Sequence, residues 1–369
     1  MQDLTLKRGM ILLGAILAAI APICSAALAQ DRPAAPLRLE TVIVRDPAVN
    51  NIEAFRILIP SGWKTSGGVV WHHDRSNLAT VAMRVWNPNG PESLEIFPNA
   101  PFVWSQGGIA FFPIGSNYLG NEVRPVPADT AGFVQQFVLS QYRRQFMNLR
   151  ITDRQALPEI AESVAKAQQE PGINKQVKAE RIRIEYFEGT SPIQEDVYCV
   201  LVASTSSMLP GTTFWGTDRL YGFKTAKGKL DELSGLFHSI GASVKLNMSW
   251  FNQYLQVVQM WKQNQRQSIR NAGELSRYIA KTNDEISAMN RQAYANQQAS
   301  SDRINARFSR YVRGVESYEH PFEGRAVELP SGYREVWVSG RGEYLLSNDA
   351  GFNPNVRSTQ DWRLMKPKE

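Results

Sequence analysis

Short runs of β-branched and alternating apolar residues, each closed by turn chemistry, stand in blocks along this chain, apart from its helix-patterned stretches. A strand buries one face with a period of two residues and a helix buries one stripe with a period of 3.6, so the order of blocks constrains the layers. Leu39 to Val44, Phe55 to Ile59, Val69 to His73 and Thr80 to Trp86 read as strands. They are separated at Pro60-Ser61-Gly62, Ser66-Gly67-Gly68 and Asn87-Pro88-Asn89-Gly90. Strand patterning returns at Glu180 to Glu188, Asp196 to Ser204 and Thr212 to Lys224. Between the blocks, Thr130 to Asn148 and Pro158 to Gln169 read as helices, the second with proline at its start and Pro171-Gly172 past its end. Leu230, Leu233, Leu236 and Phe237 mark a short amphipathic helix before a closing strand at Ala242 to Met248. Segregated blocks predict an α+β fold, an antiparallel sheet with packed helices, rather than a doubly wound parallel sheet.

Trp250 to Val312 is helix-patterned. Phe251, Val258, Ala272, Ile279, Ile286 and Ala293 fall on seven-residue steps, a coiled-coil-like seam interrupted by Gln265, Ser268 and Thr282. Ten basic and four acidic residues lie between Lys262 and Arg313, so the formal net charge of +6 is concentrated there. A helical arm is the expectation, either an α-hairpin packed on the α+β domain or a helix pair that dimerises as a coiled coil. After it, Arg325 to Leu329, Tyr333 to Val338 and Glu343 to Ser347 predict a small β unit with turns at Pro330-Ser331-Gly332 and Ser339-Gly340-Arg341-Gly342. The predicted organisation is a leader at 1–29, an α+β domain at 30–248, a basic helical arm at 249–314 and a β-hairpin module at 315–369.

The leader reading rests on Lys7 and Arg8, the apolar run Met10 to Ile23 and the small-x-small site Ala27-Leu28-Ala29. It predicts a cleaved signal peptide and a bacterial protein delivered to the periplasm or beyond. Cys24 would leave with the leader, so Cys199 remains alone, with no internal disulfide, and stability must come from burial.

The segment Phe55-Arg56-Ile57-Leu58-Ile59-Pro60-Ser61-Gly62-Trp63 resembles the F-x-x-x-x-P-x-G-W opening of PsbP-like α/β sandwich domains. The likeness runs over about Leu39 to Lys245, with Ile240 after the short helix similar to how such domains close. It implies an α+β sandwich with scaffold or binding roles, not a particular activity. Leu329-Pro330-Ser331-Gly332-Tyr333 with Trp337, Tyr344 and Trp362 is similar to a C-terminal module of uncharacterised exported bacterial proteins.

No motif with a strong mechanism is present. The chain lacks a G-x-S-x-G elbow, an H-E-x-x-H pair, a P-loop and a G-x-G-x-x-G opening a helix, so no catalytic residue, cofactor or metal is assigned. His72, His73 and Asp74 form the densest polar cluster, but on a strand only His72 and Asp74 share a face, too few ligands for zinc. Cys199 sits in the apolar run Val197 to Val202, where a thiol is ordinarily a packed side chain. Phe97, Phe102, Trp104, Phe111, Phe112 and Tyr118 lie among prolines and glycines, either capping a core or forming a surface for a ligand or partner. Arg303, Arg307 and Arg310 are the candidate contacts for an anionic surface. The leading expectation is a non-enzymatic exported envelope protein that binds or organises a partner. That partner is an anionic envelope component or an envelope protein, with no nucleic acid and no integral membrane insertion, and self-association would run through the arm. The alternatives are a hydrolase with a site near the aromatic loop and His72/Asp74, or a carbohydrate-binding protein using Trp104.

Overall fold

The structure, a computed structural model, describes residues 36–72, 74–106, 112–262, 295–296, 299–300, 302–303, 314–356 and 358–368. The first strands are β1 (Leu37–Asp46), β2 (Ile52–Pro60), β3 (Lys64–Trp71), β4 (Ala79–Trp86), β5 (Ser93–Ile96) and β6 (Pro101–Ser105). Two short strands, β7 (Asn117–Tyr118) and β8 (Asn121–Val123), precede a helix, α1. This helix runs through Thr130–Phe133, a wider π-helical Val134–Leu139 and Ser140–Tyr142, and Asp129 caps its start by accepting from the Gly132 N–H. Next come β9 (Met147–Ala156), α2 (Pro158–Ala167) and three long strands, β10 (Ile173–Glu188), β11 (Ser191–Ser206) and β12 (Thr212–Ala226). The helix α3 (Ser234–Ala242), the strand β13 (Lys245–Leu246) and the helix α4 (Met248–Lys262) follow. The C-terminal strands are β14 (Val315–Glu319), β15 (Ala326–Pro330), β16 (Glu335–Ser339), β17 (Tyr344–Ser347), β18 (Trp362–Leu364) and β19 (Lys366–Pro367).

These strands form three sheets. A ten-stranded sheet follows the order β3-β4-β5-β12-β11-β10-β9, with β6, β7 and β8 attached beside β12. A six-stranded sheet has the order β13-β2-β1-β17-β16-β18, and β15-β14-β19 form a small third sheet. Except for β6 against β8, the pairings are antiparallel. One core fills the space between the two larger sheets: Phe55, Ile57 and Ile59 of β2 meet Val81, Met83 and Val85 of β4, with Phe237, Trp250 and Tyr254 from α3 and α4. The opposite face of β10–β12 forms a second core with α1, built from Ile182, Val197, Cys199, Leu220, Phe133 and Phe137. A third core, including Leu39, Leu58, Tyr318, Leu329, Val338 and Leu346, joins the C-terminal strands to β1 and β2.

The fold corrects the expected α+β sandwich with a helical arm. Of the described residues 47% lie in strands and 19% in helices, in two curled sheets and four short helices, so the protein is predominantly β. One local cause is visible. The helix predicted over Thr130 to Asn148 stops at Tyr142, and Leu149 and Ile151, alternating with Arg150 and Thr152, make β9 an edge strand on β10. In α4, the beginning of the predicted arm, Trp250, Phe251, Tyr254, Leu255 and Val258 are buried in the first core. Most of the predicted arm, like the predicted leader, lies outside the described residues.

Candidate functional site

The C-terminal strands dock against β1 and β2 and leave a cleft of about 650 Å³ between them. Its geometry starts in the β14–β15 hairpin. The His320 N–H donates to the Arg325 carbonyl at 2.8 Å, closing the turn Pro321 to Gly324. Inside that turn His320 Nδ1 accepts the backbone N–H groups of Phe322 (3.3 Å) and Glu323 (3.1 Å). Burial, opposed by Glu323, lowers the His320 pKa from its usual value, which favours the neutral ring. An accepting Nδ1 in a neutral imidazole places the proton on Nε2.

Glu323 is the electrostatic hub of this wall. It pairs with Lys245 at 2.9 Å and with Arg325. Burial raises its pKa, but those two cations outweigh burial and hold the carboxyl at about 2. Behind the hairpin, α3 brings His238 Nε2 to 2.5 Å from Glu328 Oε2 of β15. The helix packs closely because Gly235 lies against the backbone: a Cβ there would stand 2.3 Å from the Gly314 carbonyl oxygen.

The opposite wall is the β16–β17 turn. Ser339 Oγ accepts the N–H groups of Arg341 and Glu343, and Thr41 Oγ1 of β1 donates to the Gly342 carbonyl at 2.6 Å. A second tie, Arg38 to Glu343 at 2.9 Å, fastens the same turn to β1. Arg341 is thereby carried to the cleft on a turn held at both ends. Lys368 is placed after β19 by its N–H donating to the Ser317 carbonyl at 2.8 Å.

Six cationic side chains line the cleft (Arg56, Lys245, Arg303, Arg325, Arg341 and Lys368), against the carboxylates of Asp302, Glu323 and Glu328. Arg56 is engaged with Glu53, and Lys245 and Arg325 with Glu323. Arg303, Arg341 and Lys368 have no carboxylate partner among the described residues. Phe322, half-exposed beneath the Arg363 guanidinium (4.3 Å), adds an apolar surface at the rim. The lining therefore carries more cations than carboxylates, with an aromatic ring beside them.

The candidates read from the sequence are distributed differently. Arg303 lines this cleft. Arg307, Arg310, Phe111 and His73 lie outside the described residues. Phe97 and Phe102 are not surface groups: both are 1% exposed in the second core, where Phe102 stacks on Trp215 at 4.3 Å. Trp104 packs against that core, while Phe112, 39% exposed, meets Tyr118 edge-on at 5.1 Å. His72 Nε2 lies 2.9 Å from Thr80 Oγ1, and Asp74 is exposed and contributes its carbonyl to Asn117. Cys199 is fully buried, and burial pushes its thiol pKa well up, away from the thiolate a nucleophile needs. Its neighbours are those of the second core, whereas His238 is bonded to Glu328.

The cleft residues other than Arg303 escape sequence reasoning because they are scattered from Arg56 to Lys368 without a local motif. The available signal was the turn Ser339-Gly340-Arg341-Gly342, which places an arginine at a hairpin tip. Among the described residues no group of three or more His, Cys, Asp or Glu side chains could hold a metal ion. Among them, too, no helix is long and apolar enough to cross a membrane. Compared with known proteins, the chain matches no family model and no curated protein.

Proposed function

We propose that this chain is a non-enzymatic binding protein of the bacterial envelope, exported by its leader, and that the basic cleft is where it takes hold of an anionic group. The observation that carries the reading is the trio Arg303, Arg341 and Lys368, which share one cleft and have no carboxylate partner among the described residues. Cations brought together without counter-charges repel one another, and an anion entering the cleft relieves that repulsion. The cleft is also open enough for exposed charges to meet a large partner, so binding should weaken as salt screens them.

The test is binding of the whole protein to phosphatidylglycerol vesicles and to free inorganic pyrophosphate, at low and at high salt. Wild type should bind at least one of these anions, and binding should fall steeply with salt. The triple substitution Arg303→Gln/Arg341→Gln/Lys368→Gln should reduce affinity about tenfold or more while leaving the thermal midpoint close to wild type, since all three side chains are exposed. Salt-insensitive binding, or a triple variant that binds as wild type does, would sink the reading.

A further inference from the structure

Three exposed cations attract any anion. One group in the cleft is of another kind. His320 is only 4% exposed, and its ring is fixed: Nδ1 is occupied by two backbone N–H donors, and Tyr344 meets the ring edge-on at 5.9 Å. The ring lines the cleft, and Nε2 has no hydrogen-bond partner among the described residues. An N–H that no protein group accepts is available to donate to a ligand. This donor is directional, whereas the arginine and lysine side chains around it swing on long stems.

We propose that the cleft binds a phosphomonoester group, with His320 Nε2–H donating to one phosphoryl oxygen and Arg303, Arg341 and Lys368 neutralising its charge. The inference rests on the anion-binding reading and names its ligand class. Three features favour phosphate over a carboxylate or a sulfate ester. The lining has six cations against three carboxylates, an excess suited to more than one negative charge. A phosphomonoester is close to a dianion near neutral pH, because its second pKa is about 6. Four of the six cations are arginines, whose planar guanidinium matches phosphate oxygens two at a time. Phe322 then faces the organic part that carries the phosphate.

His320→Asn separates the donor from the fold. The shorter amide can still accept the Phe322 and Glu323 N–H groups in place of Nδ1, but it has nothing at the position of Nε2. Titration calorimetry on the whole protein would compare glycerol phosphate with glycerol sulfate and glycerate. Wild type should prefer the phosphate by about tenfold or more, and His320→Asn should lose most of that preference while keeping the salt-dependent attraction. Should the variant be unstable, imidazole nitrogen NMR of wild type supplies a second readout: a neutral ring protonated at Nε2, with that N–H shifting downfield when glycerol phosphate is added. Vesicles containing phosphatidic acid, a lipid phosphomonoester, distinguish the source. Preference for those vesicles over free glycerol phosphate marks a lipid headgroup, and the reverse marks a soluble phosphate ester. Equal affinity for all three free anions with an unshifted Nε2 overturns the phosphate assignment yet leaves anion binding standing. No binding of any anion overturns both.

Discussion

Arg143 shows how a single residue holds the second core together. Its Nε and Nη2 bind the Glu195 carboxylate at 2.8 and 2.7 Å, Nη2 also reaches Glu95 at 2.8 Å, and Nη1 donates to the Tyr142 carbonyl at 2.9 Å. Tyr186 completes the set by donating to Glu195 at 2.8 Å. Burial would raise the Glu195 pKa, but the adjacent guanidinium outweighs it and keeps the carboxyl below its usual range. Gly222 makes the room, since a Cβ there would stand 2.3 Å from Glu195 Oε1. Desolvating such a pair is costly, so its value lies less in net stability than in the penalty for breaking it. Arg143→Met should therefore cost about 3–5 kcal/mol by leaving a buried carboxylate without its cation. Adding Glu195→Gln should recover part of that loss, and denaturant unfolding of the single and double variants measures both. A single variant within ~0.5 kcal/mol of wild type, the range usual for uncritical surface changes, would mean that Glu195 is not buried as described.

Elements were legible where a short apolar or alternating run is bounded by turn chemistry. The strands β1, β2, β4, β10, β11 and β12 and the helix α2 stand where alternation, turn residues and Pro158 put them, because local periodicity is enough to specify them. What the sequence hid was set by tertiary pairing. The strand β9 has the alternation of Leu149 and Ile151 but reads as the tail of a helix until β10 is beside it. Helix α3 begins at Ser234 rather than Leu230, and its fit depends on one contact that no periodicity reveals, Gly235 against the Gly314 carbonyl. Alanine is the better helix former by about 1 kcal/mol, so on propensity alone Gly235→Ala should stabilise α3. The clash is with backbone, which cannot swing aside, and overpacking of that kind costs about 1–3 kcal/mol. The expected net result is destabilisation, read as a lower denaturant midpoint with an unchanged slope; a raised midpoint would show that the helix and Gly314 are not in contact.

At the scale of the whole molecule, the chain folds its last strands onto its first. Leu37 and Leu39 of β1 pair with Leu346 and Tyr344 of β17, so β1 lies between β2 on one side and a strand some 300 residues later on the other. The third core is shared in the same way, since Leu39 and Leu58 are buried against Tyr318, Leu329, Val338 and Leu346. The cleft exists only because of this closure: Arg56 and Lys245 come from the early part of the chain, and His320, Arg325, Arg341 and Lys368 from the end. Removing everything from Val315 onward should therefore do more than delete a hairpin module. It would leave β1 as an unpaired edge strand, with Leu39 and Leu58 facing solvent, and such edges template aggregation. Long-range pairing of this kind also delays closure until the end of the chain is available. The chain from residue 30 onward should unfold in one cooperative transition by circular dichroism. The truncated chain should melt at least several degrees lower or form soluble aggregates, as resolved by light scattering. If residues 30–314 instead melt as sharply as the longer chain and at the same temperature, the C-terminal strands are an appendage, and the cleft cannot depend on them for its shape.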